Sequence, residues 1–106
     1  MSVITYNKLV RDRIPEIIEK DGKKCTVRIL EDAEYLEMID RKLDEELAEY
    51  HKDQNIEELA DLLEVLYAAA AARGFTREEL EAVRTAKAVK RGAFNEKVFL
   101  ESVEEN

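Results

Sequence analysis

The sequence is poor in several residue types, with one cysteine, one proline, three glycines and no tryptophan among 106 residues. A single cysteine, Cys25, excludes an internal disulfide framework and is typical of a reducing compartment. No apolar run approaches the roughly 18 residues of a membrane span, and the first residues lack the continuous apolar region of a signal peptide. We therefore expect a cytoplasmic protein without a membrane partner.

Basic residues are outnumbered, since 25 acidic and 17 basic side chains give a formal net charge of −8. This balance argues against binding to a nucleic-acid backbone, which requires a basic face. We expect no nucleic-acid duplex as a partner. A small phosphorylated ligand remains compatible with the charge, because a metal ion and a few local Lys or Arg side chains can invert the field within one cleft.

The chain has no internal repeat, low-complexity segment or linker, which predicts one domain over residues 1–106. A short helix is expected to begin near Pro15 and to end at Gly22. The β-branched segment 25–30, CTVRIL, predicts a short strand. The C-terminal segment 96–106 contains three consecutive apolar residues, at 98–100, that are expected to pack back onto the domain.

Helical periodicity dominates the middle of the chain. A first long helix is predicted over 31–51, where one apolar stripe comprises Leu36, Ile39, Leu43, Leu47 and Tyr50. After a break at 52–55, a second helix is predicted from 56 to 73 with Gly74 at its C-terminal cap. A third is predicted from 76 to 90, opened by the capping-box sequence TREE. The fold class is therefore mainly α, built on an antiparallel helical hairpin.

The hairpin carries two acidic pairs on opposite sides of the break. Helical spacing places Glu46 beside the apolar stripe of the first helix and turns Glu45 towards water. Folding at the break sets Glu49 opposite Glu58 and Glu46 opposite Asp61. Packed helix axes lie about 8–10 Å apart, so carboxylates of this length can converge between the two helices.

Four convergent carboxylates repel one another and lose solvation. A hard divalent cation relieves both penalties, and Mg²⁺ prefers oxygen ligands while retaining waters and bridging to phosphates. Mn²⁺ would serve with similar ligands. The alternative is a solvated acidic face, because 25 of the 106 residues are acidic and E-x-x-E pairs are common in such sequences. Geometry alone leaves both interpretations open.

The two acidic motifs, EELAE at 45–49 and EELAD at 57–61, resemble a known hallmark: E-x-x-E, a spacer, then E-x-x-D. This is the pattern of the all-α NTP pyrophosphohydrolase superfamily, the MazG-like and phosphoribosyl-ATP pyrophosphohydrolase-like proteins. YNKLVRDRIPEII at 6–18 resembles the opening of its predicted house-cleaning branch. KLDEELAEY, EELADLLEVLYA and KAVKRGAFNEKVFLE follow in that branch's order, so the resemblance covers nearly the whole chain.

The resemblance implies a four-helix-bundle-like all-α NTP pyrophosphatase fold that assembles into homodimers or homotetramers, with sites completed across subunits. It also implies Mg²⁺-dependent hydrolysis of non-standard nucleoside triphosphates between the α- and β-phosphates, giving a monophosphate and pyrophosphate. Its motif residues, assigned to metal binding and catalysis, are Glu46, Glu49, Glu58 and Asp61. Glu46, nearest the apolar stripe, is our choice for orienting the attacking water.

Positively charged side chains are needed to neutralise the phosphate charge that the metal leaves exposed. Our candidates for substrate binding are Lys8, Arg11, Lys42, Lys87 and Arg91. Lys42 has an alternative role as an exposed i,i+4 partner of Glu46, and charge compensation at a helix end accounts for Arg91 nearly as well as phosphate binding does.

Two features depart from the family pattern. The spacer between Glu49 and Glu58 is only eight residues, which requires a tight turn, and RGAF has Ala93 where the branch often has a second glycine. Two other functions compete with the first. One is true phosphoribosyl-ATP pyrophosphohydrolase activity of histidine synthesis, and the other is a non-enzymatic helical interaction module that uses the apolar face of 56–73.

Overall fold

The computed structural model describes residues 2–105, in which four α helices and no strand occur. The helices are α1 (Ile14–Lys20), α2 (Asp32–Asp53), α3 (Ile56–Ala72) and α4 (Arg77–Arg91). The prediction of a mainly α fold is confirmed. Among these residues no helix combines the length and the apolar character needed to cross a membrane.

The chain divides into two compact units, the first ending at Phe75 and the second beginning at Thr76. The first unit contains α1, α2 and α3, and the second contains α4 and the segment after it. The three apolar side chains expected to pack back from that segment, Val98, Phe99 and Leu100, are exposed instead. That expectation is wrong for the chain by itself.

The segment 25–30 is not a strand, which corrects the sequence prediction. A strand needs a neighbour for its backbone N–H and C=O groups, and residues 2–105 supply no second strand. Ile29 is almost fully exposed. The segment is held by Arg28, whose guanidinium donates two hydrogen bonds of 2.9 and 2.7 Å to the carboxylate of Glu34.

The residues predicted to end α3 and to begin α4 do so in the structure. Gly74, at φ 88°, follows the last turn of α3, and Phe75 N–H donates to the Ala70 carbonyl in a Schellman arrangement. Thr76 and Glu79 form a reciprocal capping box at the start of α4. Glycine and capping chemistry thus end one helix and begin the next within a few residues.

The connection between α2 and α3 is only two residues long. Helix α2 continues through Asp53, so the break occupies 54–55 rather than the predicted 52–55. Gln54 adopts a left-handed conformation, φ 50° and ψ 39°, and donates its N–H to the Tyr50 carbonyl. Asn55 then caps α3 by accepting the Glu58 N–H at 2.9 Å. The chain therefore reverses direction with almost no loop.

Within the first unit, α2 and α3 pack against each other in antiparallel orientation. The most buried apolar side chains are Ile39 from α2 and Val65 from α3. Near the far end of the hairpin, Arg73 donates a hydrogen bond of 3.0 Å to Asp40. The opposite side of α3, which we call the outer face, presents exposed side chains of Ile56, Leu59, Leu63 and Leu66. The hairpin thus has one packed face and one uncovered apolar face.

Replacing Asn55 by Ala should lower the free energy of unfolding by about 1 kcal/mol, because the Glu58 amide loses its capping acceptor. Urea denaturation followed by circular dichroism measures the change. Asn55→Ser is the matched control, since its hydroxyl oxygen can accept the same hydrogen bond. Equal stability of Asn55→Ala and the wild type would contradict the capping role.

Candidate metal and phosphate site

Five carboxylates meet at the closed end of the hairpin, and we call this set the carboxylate cluster. Its members are Glu46, Glu49, Asp53, Glu58 and Asp61. One oxygen each from Glu46, Glu58 and Asp61 lies within 4.8 Å of the other two, and the same holds for Glu49, Asp53 and Glu58. The first group is half-buried and the second is more exposed. Glu58 belongs to both groups and joins them.

Helical spacing and the short connection together produce this convergence. Glu46, Glu49 and Asp53 are separated by three and four residues on α2 and therefore share one face. Glu58 and Asp61 are three residues apart at the start of α3. The two-residue connection brings the end of α2 beside the beginning of α3. All four acids predicted from the sequence lie in the cluster.

Asp53 is an acid that sequence reasoning missed. The predicted helix ends at residue 51 and leaves Asp53 in the break, whereas α2 continues through Asp53 and carries it on the same face as Glu49. The available signal was the i,i+4 spacing between Glu49 and Asp53. The end of α2 was hard to predict, because the helix ends at Gln54 in a left-handed conformation and has no glycine to mark its terminus.

The carboxylate cluster is a region of negative electrostatic potential, and the direction of the pKa shift of Glu58 reflects this. Partial loss of solvation raises the pKa of Glu58, and the negative charges of Asp53, Asp61, Glu49 and Glu46 raise it further. All four of those neighbours are cluster members, so each acid contributes to the field at the shared residue. Such a concentration of negative charge favours a cation.

Lys42 lies against the α2 side of the cluster. Its Nζ is 3.4 Å from a Glu46 oxygen and 3.3 Å from a Glu45 oxygen. Lys42 and Glu46 thus form the i,i+4 pair considered as the alternative, but their side chains are only 14% and 13% exposed, so the pair is largely buried instead of exposed. Lys42 therefore adds a positive charge within the half-buried part of the site.

Lys8 and Arg11 reach the hairpin from the segment that precedes α1. Lys8 Nζ lies 3.0 Å from Glu45 Oε1, and Arg11 Nη2 lies 2.7 Å from Asp61 Oδ1. The pKa of Lys8 is raised by the hydrogen bond that Lys8 donates to Glu45 and by the negative charge of that carboxylate. Three of the five predicted phosphate-binding cations thus gather here. The other two, Lys87 and Arg91, lie on α4 in the second unit.

Glu45 differs from its prediction. It was expected to face water, yet its side chain is 34% exposed and pairs with both Lys8 and Lys42. Partial burial acts to raise the pKa of Glu45, but the hydrogen bonds and charges of the two lysines outweigh it and lower that pKa. Helical spacing is consistent with the i,i+3 pairing of Glu45 with Lys42, but it could not reveal the pairing with Lys8, which is 37 residues away in the sequence.

The donor set suits a hard divalent cation. All members of the cluster offer carboxylate oxygens, which are the ligands that Mg²⁺ and Mn²⁺ prefer. Oxygen ligands around Mg²⁺ lie at most about 4.2 Å apart, given bonds of ~2.0–2.1 Å. The oxygens of each group lie within 4.8 Å of one another, so small side-chain rotations are sufficient to bring them to this spacing. The exposed second group leaves room for waters and for a phosphate.

Comparison with known proteins gives little further information. No family model and no solved structure matches the chain. A stretch of 42 residues is 55% identical to an uncharacterized protein of Mycolicibacterium smegmatis. The match covers 40% of this chain and 43% of that protein, so the chain spans less than half the length of the relative that it matches.

Proposed function

We propose that this protein is a Mg²⁺-dependent nucleoside triphosphate pyrophosphohydrolase of the cytoplasm, acting on non-standard nucleotides. It hydrolyses the bond between the α- and β-phosphates and releases a nucleoside monophosphate and pyrophosphate. The observation that carries the proposal is the carboxylate cluster shared by α2 and α3, with Lys8, Arg11 and Lys42 at its border. Negative groups to hold a metal and positive groups to hold phosphate occur side by side.

The roles follow from position. Glu46, Glu49, Glu58 and Asp61, with Asp53 added, hold one or more Mg²⁺ or Mn²⁺ ions. A divalent cation bound there neutralises phosphate charge and polarises the attacking water. Glu46 is half-buried beside Lys42 and orients that water. Most of the rate enhancement comes from positioning and from charge stabilisation.

Lys8, Arg11 and Lys42 bind the phosphate oxygens that the metal leaves exposed. Arg11 is suited to two parallel hydrogen bonds with one phosphate, whereas each lysine supplies a compact charge. Lys87 and Arg91 on α4 are proposed as further phosphate ligands. Ala93, which follows Gly92, leaves a methyl group where the related branch often has a bare backbone.

The protein is proposed to work as a homodimer or homotetramer in which two hairpins form a four-helix-bundle-like core. The outer face of α3 supports this, because Ile56, Leu59, Leu63 and Leu66 are spaced by three, four and three residues and are all exposed. That spacing is the pattern of helices that pack together along a seam. A second copy offers an identical apolar seam and buries both.

The test is a nucleotide panel incubated with Mg²⁺ and analysed for pyrophosphate and for phosphate. It includes normal, deoxy and damaged nucleoside triphosphates together with phosphoribosyl-ATP. We expect pyrophosphate release that disappears when EDTA removes the metal. Phosphate release in place of pyrophosphate would contradict the proposed bond. A preference for phosphoribosyl-ATP would favour the histidine-synthesis enzyme.

The outer face of α3 also supports a second candidate, a non-catalytic helical interaction module. That function needs no metal and no phosphate. It predicts that none of the panel is hydrolysed and that Mg²⁺ leaves the melting temperature unchanged. A rise in melting temperature with Mg²⁺, as expected for a ligand that binds only the folded state, would exclude a module without a metal site.

A further inference from the structure

The segment before α1 contacts the candidate metal site directly. Leu9 and Val10 are half-buried, and the charged side chains on either side of them, Lys8 and Arg11, form ion pairs with the hairpin. The two pairs differ in one respect. Lys8 binds Glu45, which lies outside both carboxylate groups, whereas Arg11 binds Asp61, which belongs to one of them.

We propose that Arg11 is a built-in competitor for the metal, occupying Asp61 until a divalent cation displaces it. This inference rests on the proposed function. The guanidinium and the metal compete for the single negative charge of Asp61, and two cations held beside one carboxylate repel each other. The Arg11–Asp61 distance of 2.7 Å is that of a full charge-assisted hydrogen bond.

The second ion pair determines what happens to the segment after displacement. Because Glu45 is outside both groups, the Lys8–Glu45 pair persists when the metal binds. Leu9 and Val10 stay at their half-buried positions. Arg11 alone changes partner, and its side chain is released beside the site where phosphate is proposed to bind. Metal binding thereby converts Arg11 from a neutralising partner of Asp61 into an available phosphate ligand.

The size of the effect is set by exposure. The side chains of Arg11 and Asp61 are 58% and 42% exposed, so solvent weakens the pair. Exposed ion pairs contribute little stabilising free energy. We therefore expect removal of Arg11 to tighten metal binding by about two- to five-fold. An effect of this size is measurable by calorimetry and leaves the wild-type site competent.

The test measures binding of Mn²⁺ alone to the full chain by isothermal titration calorimetry, without nucleotide. Arg11→Gln should bind Mn²⁺ more tightly than the wild type does. Arg13→Gln is the matched control, because it removes the same charge two residues further along the chain. In a parallel Mg²⁺ titration followed by nuclear magnetic resonance, the Arg11 side-chain Nε–H signal should move and that of Arg13 should not.

The outcomes separate this inference from the proposed function. If the wild type binds Mn²⁺ but Arg11→Gln binds it no more tightly, or if Arg13→Gln improves binding equally, the competitor role is wrong and the metal site stands. If none of the three proteins binds Mn²⁺, both proposals fail. If Arg11→Gln binds Mn²⁺ more tightly and Arg13→Gln does not, but no nucleotide of the panel is hydrolysed, only the proposed activity fails.

Discussion

Replacing Glu58 by Gln is expected to reduce Mg²⁺-dependent pyrophosphate release by at least about 100-fold, the scale observed when one preorganised charge-stabilising group is removed from an active site. Glu58 is chosen because it supplies an oxygen to both carboxylate groups. Its loss weakens the two groups together, whereas loss of Glu49 or Asp61 leaves one group intact. The rate is measured as pyrophosphate released at saturating Mg²⁺.

Glu57→Gln is the matched control for this variant. Glu57 and Glu58 are neighbours in the first turn of α3, so both changes remove one negative charge from the same helix end. Glu57 belongs to neither carboxylate group. An equal loss of activity in the two variants would show that the charge of the helix end matters and that the cluster does not.

The pKa of Glu58 adds an independent readout. Because desolvation and neighbouring acids raise this pKa in the folded chain, the folded state binds a proton more readily than the unfolded chain does. Stability conferred by that proton is lost as the pH rises through the raised pKa. At neutral pH, metal-free Glu58→Gln should therefore melt no lower than the wild type. It should also lose the rise in melting temperature that Mg²⁺ gives the wild type.

Replacing Leu63 by Glu is expected to weaken self-association by about 10- to 100-fold. Full burial of an exposed leucine side chain contributes about 1.5–3 kcal/mol, about half of that remains to be gained at Leu63, and a two-fold symmetric interface contains the position twice. Leu63 is 45% exposed in the single chain and lies in the middle of the outer face. Sedimentation velocity over a range of concentrations measures the change.

The control for Leu63→Glu adds the same charge elsewhere on α3. Ala71 is exposed and lies away from the outer face around the helix axis, so Ala71→Glu should leave the assembly unchanged. A wild-type protein that sediments as a monomer at all concentrations would contradict the assembly. So would a Leu63→Glu protein that associates as the wild type does.

The parts of the fold predicted from the sequence are those that local chemistry decides. Gly74 and the Thr76–Glu79 capping box mark helix ends within a few residues, and both were found where predicted. The strand predicted for segment 25–30 does not form, because a strand depends on contacts that are not local. Its β-branched residues favour extended backbone locally, but a strand exists only with a partner, and local sequence cannot supply one.

In the candidate site, too, contacts set by local spacing were predictable and contacts between distant residues were not. The pairing of Glu49 with Glu58 and of Glu46 with Asp61 followed from helical spacing and the position of the turn, and these acids do converge. The contact of Arg11 with Asp61 spans 50 residues and has no periodic signature. The pairing of Glu45 with Lys8 is equally remote. Contacts across such separations depend on how the chain folds back, which spacing within one helix does not encode.

The two residues between α2 and α3 also fix the rotation of one helix relative to the other. Each residue of an α helix turns the chain by about 100°, so a single insertion at Gln54 or Asn55 would swing the acids of α3 away from those of α2. Both helices would still form, and the composition of the chain would barely change. The length of this reversal is therefore as necessary to the cation-binding geometry as the acids themselves.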